Sequence, residues 1–210
     1  RNLRRKWRIR LSKRQQPSDF KPRTIRVDPA APDMALIHSA AEAIREGGLA
    51  VFPTRTLYGI GADVGQPAAI ARVFSAKNRP PDQPIAILID RAAQLGEFAA
   101  QVPESADRLM RAFWPGGLTL VFVARASVPQ MLTGGTGKIG IRLPLHPVAA
   151  ALLSILERPI TGTSANISGQ PGCSSIQDLS PRLMAEMAVV LDAGPLAGGA
   201  GSTIVDVTLP

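Results

Sequence analysis

Cysteine is nearly absent from this 210-residue chain. Cys173 stands alone, which excludes an internal disulfide framework and any cysteine-based metal centre. Histidine is almost as scarce, and His38 and His146 are too few for a histidine-rich metal site. No metal ligands are assigned. Long hydrophobic runs are missing too. The longest, such as residues 85–89 and 118–124, have the length of strands, against the ~20 residues of a membrane-spanning helix. No integral membrane segment is expected. No secretory signal is visible, which makes a cytoplasmic location the expectation.

A 45% share of hydrophobic residues is enough for a full-sized core, and the length fits one domain with or without a tail. The charge is unevenly placed. The chain carries a formal net charge of +8, but residues 1–27 hold eleven Lys or Arg against one acid, Asp19. The remainder holds 13 basic and 15 acidic side chains. Residues 1–27 are therefore read as a basic flexible tail: a leader or targeting segment, or a contact for nucleic acid or an anionic membrane surface. Residues 28–210 are read as the folded domain.

Within that domain the pattern alternates between helices and short apolar strands. Asp33 is placed to cap a helix running to residue 45, which Gly47 and Gly48 stop. A buried strand is expected over 49–52, then a functional loop over 54–63, rich in glycine and hydroxyl groups. Pro67 opens a helix through residue 76. Strands are expected over 84–89, 118–123, 138–143, 159–163, 189–192 and 203–207, and helices over 92–99, 104–113, 148–156 and 177–187. Continuous apolar strands between helices indicate an α/β sheet covered by helices, with much parallel character.

Four polar constellations interrupt this pattern. Lys77-Asn78-Arg79-Pro80 places two cations on alternate positions, which in an extended segment point to one side. They suit a polyphosphate or a carboxylate beside one, unless the string is only a solvated basic turn. Residues 161–169 gather hydroxyls and an amide, Ser164 and Asn166 among them, where a strand ends. Ligands collect at such ends in open α/β sheets, although a hydroxyl-rich turn can also satisfy its own backbone. Residues 53–63 combine Thr54, Thr56 and Tyr58 with glycines, and match neither a Walker loop nor a dinucleotide fingerprint. Arg142 lies among apolar neighbours at a strand end, and either finds a structural partner or meets an anion. His146 reads better as a helix cap than as a base, and Trp114 as core or hinge.

Taken in order, the strings P-T-x-T-x-Y-G-x-G-A-D, K-x-R-P, W-P-G-x-L-T, I-R-x-P-x-H-P, S-A-N-x-S-G and S-T-I-V-D resemble the YrdC-like threonylcarbamoyl-AMP synthases, over about residues 34–208. The resemblance implies an open twisted α/β sheet, with helices packed on it and a concave, positively lined groove, in the short, single-domain form. It implies an L-threonylcarbamoyladenylate synthase, a nucleotidyltransferase that combines L-threonine, bicarbonate and ATP and releases pyrophosphate, for t6A modification of tRNA. It assigns Lys77 and Arg79 to catalysis, and Lys77, Arg79, Gln83, Ser164 and Asn166 to ATP. Thr56, Tyr58, Arg142, Gly162 and Ser202 are assigned to L-threonine. Mg²⁺ is expected to come with ATP, and tRNA and tRNA threonylcarbamoyltransferase proteins are the expected downstream partners.

The chemistry makes these residue types reasonable. A carbamate must approach the α-phosphate of ATP, so fixed cations and hydrogen-bond donors matter more than a nucleophilic side chain. Some positions depart from the family pattern: Arg55 stands where an acid is usual, Gln83 for Asn, Leu88 for a histidine, Lys138 for Thr and Gly172 for Ser. The chain also stops before an I-x-R-x-G segment that supplies a further ATP contact in many members. Two other readings of the same features are a double-stranded RNA or tRNA-binding module and a carbamoyl-transfer domain.

Overall fold

The Asp33 carboxylate accepts a hydrogen bond from the Ala35 amide at 2.8 Å and starts α1 (Met34–Arg45), as its place before the apolar run predicts. The computed structural model describes residues 22–209, so the segment 1–21 of the expected tail lies outside the described residues. After α1 come β2 (Ala50–Pro53), β3 (Tyr58–Gly61), α2 (Pro67–Lys77), β4 (Ala86–Leu88), α3 (Leu95–Phe98), α4 (Glu104–Phe113) and β5 (Leu118–Val123). They are followed by α5 (Gln130–Thr133), β6 (Lys138–Arg142), α6 (Pro147–Leu156), β7 (Ile160–Ser164), α7 (Pro181–Met184), β8 (Val189–Asp192) and β9 (Thr203–Asp206). A strand β1 (Arg23–Arg26) precedes them all.

The nine strands form one open sheet in the order β1-β8-β2-β3-β7-β4-β6-β5-β9. It is mixed. β1–β8, β2–β8, β4–β6 and β5–β9 run parallel, whereas β2–β3, β3–β7, β4–β7 and β5–β6 are antiparallel. Continuous apolar runs signalled parallel strands, but here strands of both directions are buried by the two cores, so the runs do not distinguish them. On one face α1 and α6 bury Ile37, Ala40, Ile44, Val148, Leu152 and Leu153 against Ala50, Phe52, Val189 and Leu191. On the other, Ile70 and Val73 of α2 join Ile60, Ile87, Leu120 and Ile141 in the larger core. Among the described residues no helix is long and apolar enough to cross a membrane.

Four expectations change. Residues 54–63, expected as a loop, contain β3. Its glycines mark close packing: a Cβ on Gly61 would lie 2.8 Å from Ile160 Cδ1 and 2.9 Å from Phe52 Cε1. The helix expected over 177–187 is reduced to a 3₁₀ turn at Ile176–Asp178 and one turn of α7, because Pro181 interrupts the backbone ladder. The helix expected over 92–99 is a 3₁₀ turn, Ala92–Gln94, followed by one turn of α3. Arg23–Arg26, counted with the tail for its charge, is an edge strand of the sheet and buries only Ile25. The fold therefore begins by residue 23, ahead of the expected boundary at 28. Replacing Asp33 with Ala should lower the unfolding free energy by about 1 kcal/mol, read from urea denaturation; an unchanged midpoint would remove the cap from the stability of α1.

Candidate functional site

α1 and α6 cover their face of the sheet only as far as Phe52, Leu88 and Ile160. Beyond them the same face forms the floor of a cleft of about 290 Å³. Register fixes what the floor shows. Leu88 of β4 pairs with Arg142 of β6 and with Ile160 of β7, and Thr119 of β5 pairs with Ile204 of β9. Two residues along β4, Ala86 pairs with Gly162. A Cβ on Gly162 would fall 2.8 Å from Leu88 Cγ and Cδ2, so glycine there keeps the floor low. The β2–β3 turn closes one wall with Thr54, Thr56 and Leu57, and Gly201 and Ser202 close the opposite side.

Of the residues singled out from the sequence, the cleft brings together Thr54, Thr56, Tyr58, Arg79, Leu88, Arg142, Gly162, Thr163, Ser164 and Ser202. Lys77, Gln83 and Asn166 are not among its lining residues. The idea that Lys77 and Arg79 point to one side assumed an extended segment. Instead Lys77 ends α2, and Asn78 takes a left-handed conformation with φ 52°, so the two cations diverge. Lys77 is buried beneath the cleft, and its Nζ donates to Ser164 O, to Asn166 O at 2.7 Å and to Asn166 Oδ1 at 3.3 Å. Burial, with Arg79 nearby, pulls its pKa down to about 8. Gln83 is exposed, and its carbonyl accepts from Arg79 Nε at 3.2 Å. The Asn166 amide is turned into its own loop, donating to Ile167 O at 3.0 Å and to Gln170 O, while Oδ1 accepts from Ser164 Oγ.

Two arginines give the cleft its sign. Arg79 Nη2 donates to Pro84 O at 2.7 Å, and Arg142 Nε donates to Gly116 O at 2.8 Å. Among the described residues neither has a carboxylate within 4.0 Å, and no acid lines the cleft. Burial lowers the pKa of both, and Arg55 lowers that of Arg142 further. Such a pair favours an anion, since carbonyl oxygens orient a guanidinium without neutralising it.

Several residues in or behind the cleft had no role assigned from the sequence. Thr119, the last residue of the Trp-Pro-Gly-x-Leu-Thr string but given no role from it, donates to Ser202 Oγ at 2.8 Å. The Gly116 carbonyl that holds Arg142 comes from the Trp-Pro-Gly-Gly turn, in which the core-or-hinge expectation concerns Trp114 alone. Trp114 does pack partly into the core, with Nε1 donating to Leu118 O at 2.8 Å. Phe52 carried no polar signal, and Leu88 was marked only by its place where a histidine is usual. His146 caps α6, Nδ1 accepting from the Val148 amide at 3.3 Å, and burial lowers its pKa. Lys138 forms an ion pair with Asp206 at 2.8 Å, which helps hold that carboxyl down to about 2. A Cβ on Gly172 would sit 2.8 Å from Leu57 Cδ1, so serine there needs Leu57 to move. Among the described residues no cluster of three His, Cys, Asp or Glu is placed to hold a metal.

A family model named for Sua5, YciO and YrdC, and described as telomere recombination, matches residues 42–210. The chain belongs to the Sua5/YciO/YrdC family. Within this family it is 41% identical over 172 residues to a threonylcarbamoyl-AMP synthase of Pyrococcus abyssi (strain GE5 / Orsay), a match covering 82% of this chain and 51% of that protein. It is 44% identical over 172 residues to a putative threonylcarbamoyl-AMP synthase of Mycobacterium tuberculosis (strain ATCC 25618 / H37Rv), covering 82% and 79%. The crystal structure of P. abyssi Sua5 complexed with L-threonine has a TM-score of 0.84 at 39% identity, over 89% of this chain and 54% of that one. E. coli YciO has a TM-score of 0.80 at 26% identity, over 89% and 90%. The chain thus spans about half the length of the P. abyssi relative.

Tyr58 is the single tyrosine of this Sua5/YciO/YrdC member. Its hydroxyl donates to Gly194 O at 2.7 Å and accepts from the Ala193 amide at 2.9 Å. Burial, with the Asp192 carboxylate alongside, pushes the phenol from 10.0 up to about 12. The folded state therefore keeps this proton after the unfolded chain has lost it. The resulting stability is complete below pH 10 and is lost as pH rises towards 12. A tyrosinate absorbance titration should show a midpoint near 12 or coincident with unfolding. A midpoint near 10 in the folded protein would contradict the buried hydrogen-bonded phenol.

Proposed function

We propose that this chain makes threonylcarbamoyl-AMP and pyrophosphate from L-threonine, bicarbonate and ATP, as a nucleotidyltransferase. The observation that carries this reading is a cleft holding Arg79 and Arg142, both without a carboxylate partner among the described residues, and lined by hydroxyls with no acid among them. Three anions meet in this reaction: the substrate carboxylate, the carbamate formed on its amine, and the triphosphate. The carbamate oxygen attacks the α-phosphorus, a new P–O bond forms, and the bond to pyrophosphate breaks. Fixed positive charge and alignment lower that barrier, and no protein nucleophile is needed.

Arg142 is assigned to the threonine carboxylate, where its fork can bind both oxygens. Gly162 lets the amino acid lie against the sheet, and Thr56, Tyr58 and Ser202 form the surrounding wall. Arg79 is assigned to the phosphates and Ser164 and Gln83 to the nucleotide, with Asn166 orienting the Ser164 hydroxyl. Magnesium would arrive with ATP, held by phosphate oxygens and water. Downstream, tRNA and tRNA threonylcarbamoyltransferase proteins would take the activated group in the cytoplasm, the basic tail offering a contact for nucleic acid.

Pyrophosphate release should require both threonine and bicarbonate. Release that ignores threonine would overturn the synthase reading and leave a nucleic-acid-binding module as the better account. Arg79→Ala should lower kcat/KM at least tenfold, about 1.4 kcal/mol of transition-state stabilisation. Arg142→Ala should raise the KM for threonine far more than that for ATP; equal effects on both would remove it from the amino-acid end.

A further inference from the structure

We propose that Lys77 is a positioning residue, which holds the 164–168 segment from beneath the cleft and does not touch the nucleotide. The inference rests on the synthase reading and refines it, dividing the Lys-x-Arg string into a buried clamp and an exposed anion ligand.

An ammonium has three N–H bonds to give. In Lys77 all three have protein acceptors: Ser164 O, Asn166 O and Asn166 Oδ1. The side chain is 1% exposed, so a phosphate could reach it only by displacing one of these oxygens. The backbone of the same residue completes the hold, because Lys77 O accepts from the Ser168 amide at 2.8 Å. One residue thus fixes the segment at both its beginning and its end.

The hold continues to the cleft surface. Asn166 Oδ1 takes a bond from Lys77 Nζ and another from Ser164 Oγ, and Ser164 lines the cleft. Lys77 therefore sets the direction of the Ser164 hydroxyl through the Asn166 amide. Without it, Asn166 O loses its charged donor, and Ser164 O and Asn166 Oδ1 keep only the Asn166 amide and the Ser164 hydroxyl, a loss that loosens the segment. Arg79, delivered to the cleft by the left-handed turn at Asn78, remains as the cation for the phosphates.

The test uses the full chain. In protein labelled with ¹⁵N-lysine, the Lys77 ammonium should give a slowly exchanging signal that keeps its position when ATP is added. A large shift on ATP addition would mean direct contact and overturn the proposal. In kinetics, Lys77→Met should lower kcat/KM at least tenfold, and adding Asn166→Ala should lower it by no more than about twofold further. Additive losses would instead indicate that the two residues act separately. Hydrogen exchange should quicken at residues 164–168 in Lys77→Met and stay unchanged there in Arg79→Ala; an unperturbed segment in Lys77→Met would also overturn the clamp. If wild-type protein released no threonine-dependent pyrophosphate, the synthase reading would fail. The exchange measurement and the ammonium signal in ATP-free protein would still decide whether Lys77 holds the segment.

Discussion

β7 is hydrogen-bonded along both edges by strands running the opposite way, and the cleft depends on that arrangement. Ser164 and Thr163 pair with β3, while Ile160 to Gly162 pair with β4. The strand passes from one half of the sheet to the other within five residues. Its first, third and fifth residues share one face: Ile160 packs under α1 and α6, Gly162 lowers the floor, and Ser164 reaches the cleft. Displacing β7 by one residue would reverse all three. The glycines around it, Gly59, Gly61 and Gly162, are small because Phe52, Ile160 and Leu88 cross them closely.

The charges follow a related economy. Lys77, Arg79 and Arg142 are all held by main-chain carbonyls. A carbonyl supplies a dipole and a direction but no formal negative charge, so the cleft retains its positive potential after the side chains are fixed. A carboxylate in the same place would fix the side chain equally well and cancel its attraction for a ligand. The domain as a whole is slightly acidic outside residues 1–27, which makes these few placements decisive for the local field.

Much of this was legible in the residues. The Asp33 and His146 caps, the long helices and most strands follow from periodicity and capping chemistry. The polar strings contain the polar side chains that line the cleft. What escaped was set by tertiary contact. The glycines of β3 looked like a loop, because nothing local reveals that Phe52 and Ile160 lie across them. β1 looked like tail, because three of its four residues are polar and its pairing partner is distant. Lys77 looked like an anion ligand, because only the left-handed turn at Asn78, two main-chain carbonyls and an amide oxygen separate a buried ammonium from an exposed one.

The position of β1 also bears on the order of assembly. Arg23 pairs with Val189, so roughly 165 residues must be synthesised before β1 can dock. At ~5–20 residues per second, that is a wait of about 8–30 s on the ribosome. During it an unpaired strand edge is a hazard for aggregation. Two arginines around a single buried isoleucine make β1 a poor template for a second chain, so the same charge that disguised it in the sequence protects it until its partner exists.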